Sequence, residues 1–548
     1  MKTEISLKGQ HIIYDEGSQN ISISDVLSQR FLSDPSVLSK NMDDLHDPYL
    51  LKDMDKAITR LKKAKENWEK VMIFGDYDVD GVTSTSLLMH LFTKLGILVS
   101  YRLPHRVHDW YGLKTKFVDE ALELWVTLMI TVDCGSRDKD IVADAAEKWL
   151  DIIVTDHHSV PADVPDAAIA FVNPARPDCD YPFTGLAGAW VAFKIVCALA
   201  KEYLDTLEYH KYIRESIDIA AIGTVADCMQ LVWENRIIVT EGLKQIKYSR
   251  SKWIKALIED RIDEDLDGDI FGFQIWPRLN AAGRMDTPYK AVNLILNNWN
   301  TLSDTLREIE SLNELRKSQT SEFVDYALED VNPENNIIMY SSSDISHGII
   351  GIVAGRLTEK YFKPSIVLID EGDKLVASCR APEYCSIVEV LELHKEYLIA
   401  FGWHKQAAWF SILKKDFPEF QKKFTEHMNA QDFSAHRKEV SVDKVIKLDE
   451  IGFKLIQQTQ KYKPFGMGNP KPLFLIKDFE IEWVKFLWKW RDHLRLTSRY
   501  GFKIFAFGMG EYYKDIRWLT SCDVICELAE DNWQGQRGIM IRVVDMII

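Results

Sequence analysis

The stretch from about residue 70 to 155 constrains this chain more than any other, because apolar runs alternate with helical stretches there and acidic residues sit at the junctions. Val71-Met72-Ile73-Phe74-Gly75 reads as a buried strand. An acidic turn follows, then a helical stretch from Thr83 to Leu95 that Gly96 ends. The pattern repeats with a strand near Leu98 to Leu103, a helix near Thr115 to Leu124 and a strand from Thr127 to Val132. A helix near Asp138 to Trp149 and a strand from Asp151 to Thr155 complete it. Strands that alternate with helices predict a parallel, doubly wound sheet. Such sheets bind ligands beyond the carboxyl ends of their strands.

The remainder predicts further parts. Residues 1 to about 65 read as short helices with a polar surface, and helical segments dominate from about 188 to 330. The stretch Leu302 to Leu328 predicts one long connecting helix, and a second α/β unit begins at Asn336 to Tyr340 and runs to about 430. Beyond about 435 the short alternating runs FLIKDFEIEWVKF, HLRLTSRY, FKIFAFG and GIMIRVVDMII have the texture of a small β-barrel. At 548 residues the chain exceeds one ordinary core, so several domains are expected. The opening MKTEISLKGQHIIYDEG lacks the apolar stretch of a signal peptide, and no run of about 18 apolar residues exists to span a membrane. Eight scattered cysteines without CxxC spacing argue against a zinc ribbon and fit a reducing cytosol, so a cytoplasmic protein is expected. The net charge of −16 argues against nonspecific coating of nucleic acid, although carboxylates that hold cations inflate such a figure.

Four pieces of the first domain are each expected to put acidic or imidazole groups at a strand end: Asp76, Asp78 and Asp80 in DYDVDG, Asp133 in TVDCG, Asp156-His157-His158 in VTDHH, and Asp227 in AIGTVADC. Singly, each has a plainer reading, since an Asp at a strand-to-helix turn is more often an N-cap than a ligand. Asp-x-Asp-x-Asp-Gly also opens a calcium loop. Its twelfth position here is Leu87 instead of Glu, and a strand precedes it. Together the carboxylates would repel strongly unless cations held them. Mixed carboxylate and imidazole ligation suits Mn²⁺ or Mg²⁺ better than zinc or copper. Two such ions activate water and stabilise an in-line displacement at phosphorus, so the chemistry points to a two-metal phosphoesterase.

GDYDVDG, VDCG, TDHH and the Asp of GTVADC resemble, in order, the four motifs of the DHH phosphoesterase superfamily. SHGIIGIVAGRLTEKY at 346–361, ASCRAP at 377–382 and GWHKQAAWF at 402–410 resemble the associated DHHA1 domain. PRLNAAGRM at 277–285 and KPFGMGNPKPLF at 463–474 resemble segments of the RecJ-like exonucleases, the second leading into their OB-fold. The resemblance implies an α/β fold: a parallel-sheet DHH domain and a smaller α/β DHHA1 domain joined by a long helix, plus a C-terminal OB-like β-barrel. The implied domains are an N-terminal helical segment (1–65), DHH (66–240), a helical connector (241–332), DHHA1 (333–432) and the OB-fold (433–548). The implied activity is stepwise 5′→3′ hydrolysis of single-stranded DNA to 5′-mononucleotides, in recombination and repair, with two Mn²⁺ or Mg²⁺ ions. A helicase and a single-strand-binding protein are the implied partners. The alternatives are a DHH phosphodiesterase for short oligonucleotides or cyclic dinucleotides, and a RecJ-like scaffold of weak activity.

Carried over by position, the resemblance implies that Asp78, Asp80, Asp133, His157 and Asp227 bind the metal pair, with Asp133 bridging. Asp76 and His158 complete the site, and Asp156 orients the histidines. Arg284, Ser378 and Arg380 are implied to hold the terminal 5′-phosphate, with His404 close by. On the barrel, Lys485, Lys489, Arg491, His493, Arg495 and Arg499, interleaved with Phe486 and Tyr500, form an expected strand-binding surface.

One departure is systematic. Relatives commonly carry glycine where this chain has Trp110, Trp125, Trp149, Trp190, Trp276, Trp403, Trp409, Trp488 and Trp490. Glycine, at 27, is below the roughly 38 expected at about 7%, while tryptophan stands at 16. A one-way exchange of this kind is expected if UGA codons for glycine were read as tryptophan.

Overall fold

The computed structural model describes residues 1–109, 111–249, 251–259, 266–296, 301–404, 406–433, 435–487, 491–499, 501–531 and 538–548, with the side chains of Trp403, His404 and Asp531 outside the description. The chain opens on an antiparallel pair, β1 (Lys2–Ile5) and β2 (His11–Tyr14), where short helices were expected. Short helical turns follow, including α1 (Ile23–Ser28), whose cap Ser22 accepts a hydrogen bond from the Asp25 amide. The basic stretch before the first sheet is α2 (Met54–Glu66).

That sheet comprises β3 (Lys70–Gly75), β4 (Leu98–Arg102), β5 (Val126–Val132), β6 (Asp151–Thr155) and β7 (Ala170–Val172), in the order β4-β3-β5-β6-β7 and all parallel. The three-residue β7 was not anticipated. The crossover helices are α3 (Val79–Lys94), α4 (Thr115–Glu123) and α5 (Lys139–Glu147). Strand period sorts the apolar residues. Val71, Ile73, Leu128 and Ile130 pack with Leu87, Leu88 and Leu91 of α3, while Met72, Phe74, Met129 and Val154 pack with Phe117 of α4 and Val142 of α5. Both faces of the central strands β3, β5 and β6 are covered, so these strands are almost wholly buried, while the edge strand β4 is not. Strand order reverses between β3 and β5, and the carboxyl ends there form the crevice where such sheets bind ligands.

The helices α6 (Gly188–Tyr203), α7 (Thr206–Ala226), α8 (Trp233–Ile246) and α9 (Lys252–Ile258) follow. A π-helical turn, Ile270–Ile275, leads into α10 (Trp276–Met285), and α11 (Tyr289–Leu296) precedes the 29-residue connecting helix α12 (Leu302–Asp330). The second sheet holds β8 (Ile338–Ser342), β9 (Ser365–Asp370), β10 (Lys374–Arg380), β11 (Leu398–His404) and β12 (Ala407–Leu413), ordered β11-β12-β10-β9-β8. Only β8 and β9 run parallel, and α13 (His347–Tyr361) connects them.

The remaining strands are β13 (Glu439–Ser441), β14 (Lys444–Ile446), β15 (Phe474–Phe486), β16 (Leu494–Ser498), β17 (Lys503–Ala506), β18 (Ser521–Asp531) and β19 (Gly538–Ile547). Pairings run β15-β16-β17-β19-β18, and β18 returns to β15, closing a five-stranded barrel around Phe474, Ile476, Leu494, Ile504, Val524 and Val543. The first residues belong to this unit. β13 pairs with β2, the Leu7 amide donates to the Met546 carbonyl at 2.7 Å, and the Lys444 ammonium donates to the carbonyls of Ser18, Gln19 and Ile21. One compact unit thus comprises residues 1–39, 432–465 and 469–548, and the other 40–431 with 466–468. Among the described residues no helix is long and apolar enough to cross a membrane.

Candidate active site

Strand ends and helix ends deliver the acidic residues. Asp76 follows β3 directly. Asp78 caps α3, its Oδ1 accepting from the amides of Asp80 (3.0 Å) and Gly81 (3.2 Å). Asp80 lies in the first turn of α3, and its two oxygens accept from Gly188 N (2.7 Å) and Ala189 N (2.8 Å) at the start of α6. That helix comes close because residue 188 is glycine: a Cβ there would stand 2.7 Å from the Asp133 Cβ. Asp133 follows β5 in the left-handed region (φ 60°) and Asp156 follows β6, whereas Asp227 caps the C-terminal end of α7 where a strand end was expected.

These groups form three overlapping ligand nests, Asp80–His157–Asp227, Asp76–Asp78–Asp133 and Asp133–Asp156–His157–His158. Asp133 also approaches the histidines. His157 Nε2 lies 3.1 Å from Asp133 Oδ1, 3.5 Å from Asp227 Oδ2 and 3.7 Å from Asp80 Oδ2. Asp76 Oδ1, Asp133 Oδ1, Asp227 Oδ2 and His157 Nε2 are all buried with no hydrogen-bond partner. Buried polar atoms are almost always satisfied, so a converging set of orphans fits absent cations. The donor set of carboxylate oxygens and one imidazole nitrogen fits hard divalent ions. Asp156 plays a different part. Its oxygens accept from Ser136 N (3.0 Å), His157 N (2.7 Å) and His158 N (3.2 Å), and lie 2.8 Å from His158 Nδ1. The carboxylate assigns the proton to Nδ1 and leaves Nε2 with the lone pair.

Burial, then the charge of Asp78, pushes the Asp76 carboxyl up to about 8. Burial raises Asp227 to about 6, and burial and neighbouring carboxylates hold Asp80 and Asp133 well above the usual range. Burial works to raise Asp156 too, but the hydrogen bond and charge of His158 outweigh it and hold that carboxyl low. In the metal-free chain, therefore, Asp76 and Asp227 keep protons that an unfolded chain releases near 3.8. The native state then binds more protons than the unfolded one, and its stability falls as pH rises from about 4 to 8. Cations that replace those protons remove the penalty. Chelation is expected to lower the unfolding temperature more at pH 8 than at pH 6 in thermal scans with and without divalent ion. An equal loss at both would mean these carboxyls are not the ligands.

A basic cluster borders the acidic one. Arg284, at the end of α10, donates from Nη1 to the Gly348 carbonyl at 2.9 Å. Burial, followed by the neighbouring charges of Arg106, Arg380 and Arg316, pushes it down to about 9. Arg380 Nη1 donates to the Cys379 carbonyl (2.7 Å) and lies 3.3 Å from the buried Ser378 Oγ. Arg106, which the sequence reading passed over, stacks 4.1 Å over the ring of Tyr77, the residue between Asp76 and Asp78. Its buried Nε has no hydrogen-bond partner. The signal was available, since Arg106 lies just beyond the carboxyl end of β4. Guanidiniums gathered this way suit an anion with the geometry of phosphate. His404 ends β11, and its side chain lies outside the described residues.

On the barrel, Lys485 of β15, Arg495 of β16, Phe505 of β17 and Arg542 of β19 stand in direct cross-strand register. Lys485 and Arg495 lie 4.5 Å and 4.9 Å from the Trp483 ring, and Arg491 lies 5.5 Å from Phe486. His493 packs edge-on to Phe507, while Arg499 approaches Glu480 at 3.8 Å. Trp483, Phe505, Phe507 and Arg542 were not anticipated. Lys489 and Tyr500 lie outside the described residues.

Comparisons with known proteins agree with this geometry. The DHH family, N-terminal domain, matches residues 70–224, and the RecJ OB domain matches residues 442–545. The chain is 32% identical over 520 residues to the single-stranded-DNA-specific exonuclease RecJ of Bacillus subtilis, covering 92% of this chain and 64% of that protein. It spans, then, just under two thirds of that relative's length. To the RecJ of Haemophilus influenzae it is 30% identical, over 85% of each chain. Among solved structures, RecJ from Thermus thermophilus in complex with Mn²⁺ superimposes with a TM-score of 0.82 at 25% identity, over 98% of this chain and 80% of that one.

Proposed function

The chain belongs to the RecJ family of single-stranded-DNA-specific exonucleases, and from that premise we propose that it removes 5′-mononucleotides stepwise from single-stranded DNA. The observation that carries the reading is the junction of two kinds of group: the carboxylate nests abut a set of buried guanidiniums that raise one another's cost of charge, with Tyr77 between them. Two divalent cations, Mn²⁺ or Mg²⁺, held by Asp78, Asp80, Asp133, His157 and Asp227, would supply an activated water and neutralise charge at phosphorus. The chain's own groups do the rest. The α6 amides fix both Asp80 oxygens, so that carboxylate meets its ligand without reorganising. Asp156 orients His158 and so presents Nε2 outward. Arg284, Arg380 and Ser378, joined by Arg106, would grip the terminal phosphate and set the direction of digestion. A helicase and a single-strand-binding protein fit as partners that supply and hold the strand.

End-labelled single-stranded DNA tests the reading. Mn²⁺-dependent release of mononucleotides from the 5′ end supports it. Intact long DNA beside hydrolysed dinucleotides would move the chain to the short-oligonucleotide phosphodiesterases, and metal binding without any hydrolysis would make it a scaffold.

The barrel row would track the strand, its cations following phosphates and its rings stacking bases. Alanine at Lys485, Arg495 and Arg542 together is expected to weaken binding of long single strands by about 10–100-fold at low salt and to flatten the salt slope by roughly 0.7 per cation removed. Dinucleotide turnover should be unaffected. Anisotropy titrations across a salt series read the slope, and an unchanged slope would remove this face from the DNA path.

A further inference from the structure

Four of the ten non-glycine residues with positive φ among those described are tryptophans: Trp68 (55°), Trp125 (61°), Trp149 (65°) and Trp233 (48°). With 16 tryptophans in 548 residues, ten positions filled at that frequency would hold about 0.3 of one (10 × 16/548). Asn and Asp visit this region at modest cost, while a bulky side chain there is an outlier.

Three of the four occupy one structural position. Helix α2 ends at Glu66 and Asn67 caps it. Trp68 then turns left-handed, with Trp68 N donating to Lys65 O and Glu69 N to Ala64 O. Helix α5 ends at Glu147, and after Lys148 the Trp149 amide donates to Ala146 O and the Leu150 amide to Ala145 O. Trp125 closes α4 in the same place, its amide donating to Leu122 O. This closing turn is the one that glycine dominates. The same sheet supplies the comparison: α3 ends at Lys94, and the residue in the equivalent turn is Gly96, at φ 73°, with its amide on Thr93 O and that of Ile97 on Phe92 O. Nor does burial compensate, for the three indoles are 72%, 80% and 90% exposed.

We propose that the gene is read with UGA as a glycine codon, and that in its native cell residues 68, 125, 149 and 233 are glycine. Trp125 and Trp149 are among the positions already singled out by the one-way exchange, whereas Trp68 and Trp233 come from the backbone alone. The other exchanged positions among the described residues have no left-handed backbone. Trp190 is buried in α6 and stacked on Phe193 at 4.8 Å, Trp276 starts α10, and Trp409 lies in β12. Trp110, Trp488 and Trp490 lie outside the described residues, as does the Trp403 side chain. The rival reading is an apolar docking face, since Leu98 and Leu124 are also exposed at the ends where the strands enter this sheet.

The codons and the mass of the native protein decide. UGA at these four codons, with glycine found in the corresponding peptides, is expected. UGG codons overturn the proposal and favour the docking face. A second measurement needs no native source. In the chain as written, Trp→Gly at all four positions is expected to raise the unfolding temperature by roughly 5 °C or more, while Trp→Ala at the same positions gains little. If alanine matches glycine, removal of exposed indoles is the cause and the left-handed argument fails.

Discussion

Asn in place of Asp133 is expected to lower turnover by at least about 10³-fold, equivalent to about 4 kcal/mol of barrier, and at the same time to make the metal-free chain more stable at pH 8. Both effects have one cause. Asp133 stands in one nest with Asp76 and Asp78 and in close approach to His157, so losing its charge would deprive both proposed metal positions of an anion. Yet without metal that same charge is a burden, because burial and the charges of Asp78, Asp76 and Asp227 hold its carboxyl well above the usual range. Asparagine keeps the shape and tolerates the left-handed backbone that this residue adopts. Digestion assays and thermal scans with and without Mn²⁺ read the two effects. A variant that loses activity and also unfolds earlier without metal would point to a structural aspartate instead.

Alanine at Arg380 or at Arg284 is expected to cost about 10²-fold in kcat/KM on 5′-phosphorylated DNA and little on DNA with a 5′-hydroxyl. Hydrogen bonds from a guanidinium to phosphate are worth about 1.5–3 kcal/mol each, and a buried cluster of mutually repelling guanidiniums gains from an added anion. Lysine at either position restores charge without the planar fork, so partial rescue separates geometry from net charge. Arg106 should behave likewise, because its guanidinium is pinned over Tyr77. Equal losses on the two substrates would place these arginines outside the terminal-phosphate pocket.

Legibility followed the range of the signals. Three of the acidic segments were readable because each sits within a few residues of the strand that positions it, whereas Asp227 ends a helix; the connecting helix was readable because its 29 residues keep one period. β1 and β2 were missed, four residues each, since the strand β13 that completes their sheet lies more than 400 positions away. Arg106 was missed because a lone arginine in a loop carries no pattern, and only the fold sets it beside Arg284 and Arg380. The barrel row was read only in part for a related reason: Lys485 and Arg495 were found along the sequence, whereas Phe505 and Arg542 join them only across strands. Trp68 and Trp233 drew no notice as letters, and their backbone angles alone set them apart.

The pairing of the first residues with the last has a consequence in time. Ile12 and Tyr14 are buried against Val445, Leu475 and Ile525 in the finished protein. During synthesis, residues 40–431 must all be made before those partners exist. At about 5–20 residues per second that is a wait of roughly 20–80 seconds for a strand pair with an open edge. The larger unit, whose residues are contiguous but for three, can fold meanwhile, so the order of assembly is set: that unit first, then the barrel, with β13, β15 and β18 packing against a strand pair made at the very start. A ribosome that stalls before residue 432 leaves that pair exposed, and such a nascent chain, more than the finished enzyme, is the species a chaperone must hold.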